Sequence, residues 1–109
     1  MSREEMLEDV KSLIANNKIM LFMKGTATQP MCGFSAATVE VLRKMEQPFG
    51  DKNVLENAEY RYVLSEHSNW PTVPQVFING EFVGGCDIVH ALYKSGELKT
   101  MVDKAFSGA

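Results

Sequence analysis

Apolar residues recur along this chain in two alternating rhythms, one helical and one strand-like. Met6, Val10, Leu13 and Ile14 repeat at helical spacing, and Ser2 followed by Glu5 makes a capping-box pattern, which predicts a first helix ending near Asn16. After the Asn16-Asn17 break, Ile19-Met20-Leu21-Phe22-Met23 is a continuous apolar run of the kind that forms a strand covered on both faces. Lys24 ends it. Gly, Thr and Pro punctuate residues 25–31, and from Cys32 the helical rhythm returns, with Val39, Leu42 and Met45 on its apolar side. Pro48 to Val54 is only weakly strand-like, because Gly50, Asp51 and Asn53 are poor strand formers. A third helix is expected over roughly Ala58 to His67. Val76-Phe77-Ile78, Asn79-Gly80 and Glu81-Phe82-Val83 form the clearest hairpin pattern in the chain. Beyond Gly84-Gly85, a helix from about Ile88 to Lys94 with Asp87 as its cap is expected, Ser95-Gly96 ends it, and Leu98, Met101, Val102 and Ala105 line a final helix.

That order predicts an α/β chain with a central mixed four-stranded sheet flanked by helices, a thioredoxin-like architecture in which strands joined through helices run parallel and the hairpin adds an antiparallel pair. Its length of 109 residues suits one domain spanning 1–109, with no internal repeat or linker. A net charge of −3 argues against general nucleic-acid binding, which needs excess cations. No apolar run approaches the ~20 residues of a membrane helix, so no membrane partner is expected. The acidic start, Glu4-Glu5 to Glu8-Asp9, lacks the basic character of a targeting segment. A cytoplasmic location is the expectation, with a mitochondrial matrix reached after transit-peptide removal as the alternative. Two cysteines are too few for a disulfide scaffold and fit a reducing compartment, where thiols serve as nucleophiles or ligands.

Cys32 stands where a loop enters a helix, a position that favours thiolate over thiol. The competing reading is an inert thiol filling a gap, which the flanking Pro30 and Gly33 disfavour. Lys24, closing the preceding strand, is placed to add positive charge. Ser35 occupies the position where a dithiol redox site carries its second cysteine, so a mixed disulfide formed at Cys32 waits for an outside thiol. Cys86 reads first as a small residue tolerated beside a ligand, and otherwise as the other candidate to resolve such a disulfide. Phe34 and Trp70 read as packing residues, and His67 and His90 as surface or packing histidines without ligand spacing to either cysteine. Arg61 alone reads as a solvated helix charge, and Asp87 equally as an ordinary cap.

Lys24 with Cys32-Gly33-Phe34-Ser35, Trp70-Pro71-Thr72-Val73-Pro74-Gln75-Val76-Phe77, and Gly84-Gly85-Cys86-Asp87 together resemble the signature of the monothiol glutaredoxins over almost the whole chain. The resemblance implies a thioredoxin fold, glutathione binding, a cis Val73-Pro74 peptide, and a 2Fe-2S cluster bridged between two chains. It implies that Lys24 and Arg61 grip the glycine carboxylate of glutathione and that Val73 holds its cysteine through the main chain, with Thr72 and Pro74 as further binding positions. Cys86 and Asp87 would then receive its γ-glutamyl end, and Cys32 would be both catalytic thiol and cluster ligand. A 2Fe-2S cluster takes four thiolates, so one cysteine from each of two chains leaves two places for glutathione. The partners implied are glutathione, a second copy of the chain, iron-sulfur acceptor proteins and BolA-type proteins. A glutathione-dependent thiol-disulfide oxidoreductase working through the Cys32 thiolate is the alternative.

Overall fold

The structure is a computed structural model and describes residues 1–108. Helix α1 (Arg3–Asn16) opens on the capping box: Ser2 Oγ accepts the Glu5 N–H at 3.0 Å, and Glu5 Oε1 accepts the Ser2 N–H at 2.9 Å. It buries Met6, Val10 and Ile14 against the sheet, while Leu13 packs at the margin. Strand β1 (Ile19–Met23) is buried along its whole length, as a run apolar on both faces requires.

β1 pairs in parallel with β2 (Gly50–Asn53) and antiparallel with β3 (Gln75–Ile78), which pairs antiparallel with β4 (Glu81–Gly84), giving the order β2-β1-β3-β4. The hairpin forms as its Asn79-Gly80 signal predicts, with φ of 53° and 83° at the two turn residues. The expectation that strands joined through helices run parallel holds only for β1 and β2. Met23 pairs with Asn53, and Phe22 with Gln75, so the chain re-enters the sheet at the end where β2 left it. The connection through α3 (Tyr60–Ser68) therefore returns β3 in the opposite sense. As a result Lys24 after β1 and Pro74 before β3 lie at one end of the sheet.

Helices α1 and α3 cover one face, where Met20, Phe22, Phe77 and Tyr60 pack with Val63 and Leu64. On the other face, α2 (Gly33–Arg43), α4 (Cys86–Ser95) and α5 (Glu97–Ala105) enclose Ile19, Leu21, Met23, Leu42, Val89, Leu98 and Val102. Met45 lies just past α2 and packs on this second cluster. Gly96, at φ 86°, takes the left-handed conformation that closes α4, where glycine has no side chain to clash.

β2 forms despite its polar composition, and the polar side chains have work elsewhere. Asp51 Oδ2 accepts the Ala27 N–H at 2.8 Å, and Asn53 Oδ1 accepts the N–H groups of Gly25 and Leu55, each at 2.9 Å. An edge strand with residues of low strand propensity thereby pins the loop leading to Cys32. α4 begins two residues before the expected Ile88, and its cap is Gly85 rather than Asp87. Asp87 lies in the first turn with an exposed carboxylate, because Gly84, at φ 155°, turns the chain into the helix early.

Candidate functional site

The same end of the sheet carries an open cavity of about 390 Å³. All eight candidate residues line it: Lys24, Cys32, Arg61, Thr72, Val73, Pro74, Cys86 and Asp87. Three walls converge. Lys24 and Cys32 come from the end of β1 and the start of α2, Arg61 from the first turn of α3 and Thr72 to Pro74 from the loop before β3, and Cys86 and Asp87 from the start of α4.

Cys32 is the N-cap of α2, half-buried, so its sulfur faces the unpaired amides that open the helix. Its thiol is held below the ordinary thiol value chiefly by the Ser35 amide; burial opposes this, and the Phe34 amide, the Lys24 charge and the Ser35 hydroxyl add to it. Ser35 is fully buried, and its Oγ accepts the Lys24 N–H at 3.1 Å. The residue in the position of an absent second cysteine thus ties α2 to the end of β1. Gly25 closes the loop tightly: at φ 87°, a Cβ there would lie 2.4 Å from the Gln29 oxygen.

Lys24 and Arg61 enter no ion pair among the described residues, and neither does Asp87. The cavity therefore presents two uncompensated cations, one on each of two walls, and a carboxylate on the third. The Val73-Pro74 peptide is cis. Among the described residues, neither the N–H nor the C=O of Val73 is hydrogen-bonded, although its side chain is buried. A donor and an acceptor on one extended residue can take an extended peptide as an added strand. Gly85 caps α4 without a side-chain bond, leaving the first amides of the helix for an anion.

Two readings of single residues change. Phe34 does not pack in the core; it is 64% exposed on the first turn of α2 and lines the cavity beside Cys32. His90 is not remote from the cysteines. One helical turn after Cys86, its Nδ1 lies 3.0 Å from the Cys86 carbonyl oxygen and 3.6 Å from Cys86 Sγ. The carbonyl can only accept, so Nδ1 carries the proton and the imidazole sits against the thiol as a donor. The i, i+4 spacing of Cys86 and His90 was the available signal. Trp70 does pack, at 5.4 Å between ring centroids from Phe82, and also lines the cavity. His67 is exposed on α3.

The glutaredoxin family model matches residues 19–83. A probable monothiol glutaredoxin 2 of Rickettsia conorii is 52% identical over 98 residues, covering 90% of this chain and 91% of that protein. A monothiol glutaredoxin of Synechocystis, described as ycf64-like, is 49% identical over 98 residues, covering 90% and 92%. A chloroplastic monothiol glutaredoxin of Arabidopsis thaliana is 48% identical over 101 residues, covering 93% of this chain, which spans 58% of that longer protein. Among solved structures, reduced apo GrxS14 of poplar superposes with a TM-score of 0.82 at 46% identity, covering 93% of each chain. A buckwheat glutaredoxin-glutathione complex shares the fold at a TM-score of 0.84 and 22% identity, over 98% of this chain and 96% of that one. The chain belongs to the glutaredoxin family, among the monothiol glutaredoxins, and its fold is thioredoxin-like.

Proposed function

We propose that the cavity binds glutathione and that two chains, each giving Cys32, carry a 2Fe-2S cluster whose remaining ligands are two glutathione thiols. The observation that carries the first part is complementarity. Glutathione has two carboxylates, one ammonium and a peptide backbone, and the cavity offers Lys24 and Arg61, the free amides of α4, Asp87, and the unpaired main chain of Val73. Lys24 and Arg61 take the glycine carboxylate and Val73 pairs with the cysteinyl residue. Thr72 and Pro74 shape the same wall, and the start of α4 at Cys86 and Asp87 receives the γ-glutamyl end. The glutathione thiol then lies beside Cys32.

The donor set supports the cluster reading. Among the described residues no three His, Cys, Asp or Glu side chains gather as a metal site, and each chain has one thiol activated at a helix start. With Cys32 alone as the ligand from each chain, four thiolates take a second chain and two outside thiols. Ligands that exchange with free glutathione make the cluster transferable, so we read the protein as a cluster carrier acting as a single domain, with iron-sulfur acceptor proteins and BolA-type proteins as partners. Both bacterial and chloroplastic relatives are known, and we place this chain in a reducing cytoplasm. Anaerobic reconstitution with iron, sulfide and glutathione tests it: the expected product is a coloured species of twice the chain mass that needs glutathione to form. A colourless monomer overturns it.

The activated thiol favours a second activity. The Cys32 thiolate attacks the glutathione sulfur of a glutathionylated protein, forming a Cys32-glutathione disulfide and releasing the protein thiolate; a glutathione thiolate then restores Cys32 and leaves as glutathione disulfide. Turnover of a glutathionylated peptide at a rate no faster than with glutathione alone would refute this second reading.

A further inference from the structure

Gln75 is the first residue of β3, pairs with Phe22 of β1, and is fully buried. A neutral polar side chain at such a place needs a reason, because its polar atoms give up water. Its Nε2 donates to two main-chain carbonyls, those of Thr72 at 3.0 Å and Trp70 at 3.1 Å. Its Oε1 has no partner among the described residues. Two acceptors fix which end of the amide faces them, since turning it over would set an oxygen against two oxygens. The side chain is therefore spent entirely on holding the loop.

That loop cannot easily hold itself. Pro71 and Pro74 remove two of its N–H groups, and its residues belong to no helix or strand whose ladder would satisfy their carbonyls. The loop also carries two features of the site. Val73, directly after Thr72, presents the free N–H and C=O described above. Trp70 packs its indole over the start of α4: a Cβ placed on Gly85 would lie 3.5 Å from Trp70 Nε1 and 3.3 Å from the Pro74 oxygen.

We propose that Gln75 is a positioning residue for the glutathione site, an internal brace that sets the main chain of Val73 and, through Trp70, its distance from the start of α4. The inference rests on the glutathione reading above, and adds to it a residue that touches neither the cavity nor the ligand. The wall formed by Lys24 and Cys32 is held separately, by Ser35, Asp51 and Asn53. Loss of the brace is thus expected to act on one wall alone.

The test replaces Gln75 by Met, which keeps the length and removes the donor, and by Glu, which keeps the shape and sets an oxygen against the carbonyls. Each is followed by glutathione titration calorimetry and by the iodoacetamide rate at Cys32, read on its own peptide by mass spectrometry. The expected result is glutathione affinity weakened by about fivefold or more with the Cys32 rate within about twofold of the parent chain. Unchanged affinity in either folded variant, or parallel loss of both properties, overturns the proposal. A third measurement needs no variant. In the parent chain the Gln75 side-chain amide hydrogens are expected to exchange slowly with solvent and to shift on glutathione addition at the same midpoint as the Val73 amide. Rapid exchange, or resonances that stay put while Val73 moves, overturns it too. A parent chain that binds no glutathione refutes the reading beneath and is seen before any variant is made.

Discussion

Replacing Ser35 by Ala separates two ways in which one residue acts on Cys32. Its hydroxyl accepts the Lys24 N–H at 3.1 Å in a fully buried position, whereas its amide is the leading reason that the thiol sits below its ordinary value. The Ala variant removes the hydroxyl and keeps the amide. Leaving a buried N–H without its acceptor costs about 1–3 kcal/mol. For a domain of this size each kcal/mol lowers the melting temperature by roughly 4–8 °C, so a fall of about 4–24 °C is expected. The sign for the thiol follows from its direction of shift: a group held low is ionised at lower pH, so the alkylation rate rises with pH about a midpoint below the ordinary ~8.5. Since the hydroxyl is the last and smallest of the contributions, that midpoint is expected to move up only slightly in Ser35→Ala. Calorimetry and iodoacetamide rates at Cys32 from pH 5 to 10 measure both. A midpoint raised by about one unit or more, which is a factor of ten in thiolate, would refute the assignment to the amide.

Other perturbations follow from the same geometry. Gly25→Ala sets a Cβ against the Gln29 oxygen at φ 87°, and is expected to destabilise the fold by about 1 kcal/mol or more in urea unfolding and to slow Cys32 alkylation by displacing the loop before it. Tyr60→Phe removes the 2.6 Å bond from the Tyr60 hydroxyl to Asp9 Oδ2, beneath Lys52, at a cost of about 1–2 kcal/mol measured in the same way. The hydroxyl's own pKa is pushed up, first by burial and then by Asp9, so it stays a donor throughout the working pH range. Lys24→Gln and Arg61→Gln are each expected to weaken glutathione about tenfold by calorimetry, more so at low salt, while leaving the fold intact. Affinity unchanged in both would remove the carboxylate grip from the account.

The elements that could be read from the residues alone are those whose local chemistry and burial agree. The Ser2-Glu5 box, the five apolar residues of β1 and the Asn79-Gly80 turn each specify a conformation by themselves. What the residues hid is what depends on distant partners. Asp51 and Asn53 weaken the strand pattern of β2 because their side chains are committed to the loop at Gly25 and Ala27. The antiparallel sense of β3 follows from where α3 returns the chain, which no local pattern encodes. Gly85 rather than Asp87 caps α4, since the preceding glycine turns the backbone before any side chain is needed. Within the site, Cys32 and Lys24 were legible from the residues themselves and Arg61 through family resemblance, whereas the role of Gln75 was not. Its role lies in two carbonyls whose position only the folded loop defines.

The central claim is that one thiol from each of two chains and one glutathione at each cavity together hold the cluster. Native mass spectrometry of the reconstituted protein counts those components in one species. The account predicts two chains, two iron, two sulfide and two glutathiones, with the whole assembly lost in Cys32→Ser. A cluster on a single chain, or one between two chains without glutathione, would contradict it.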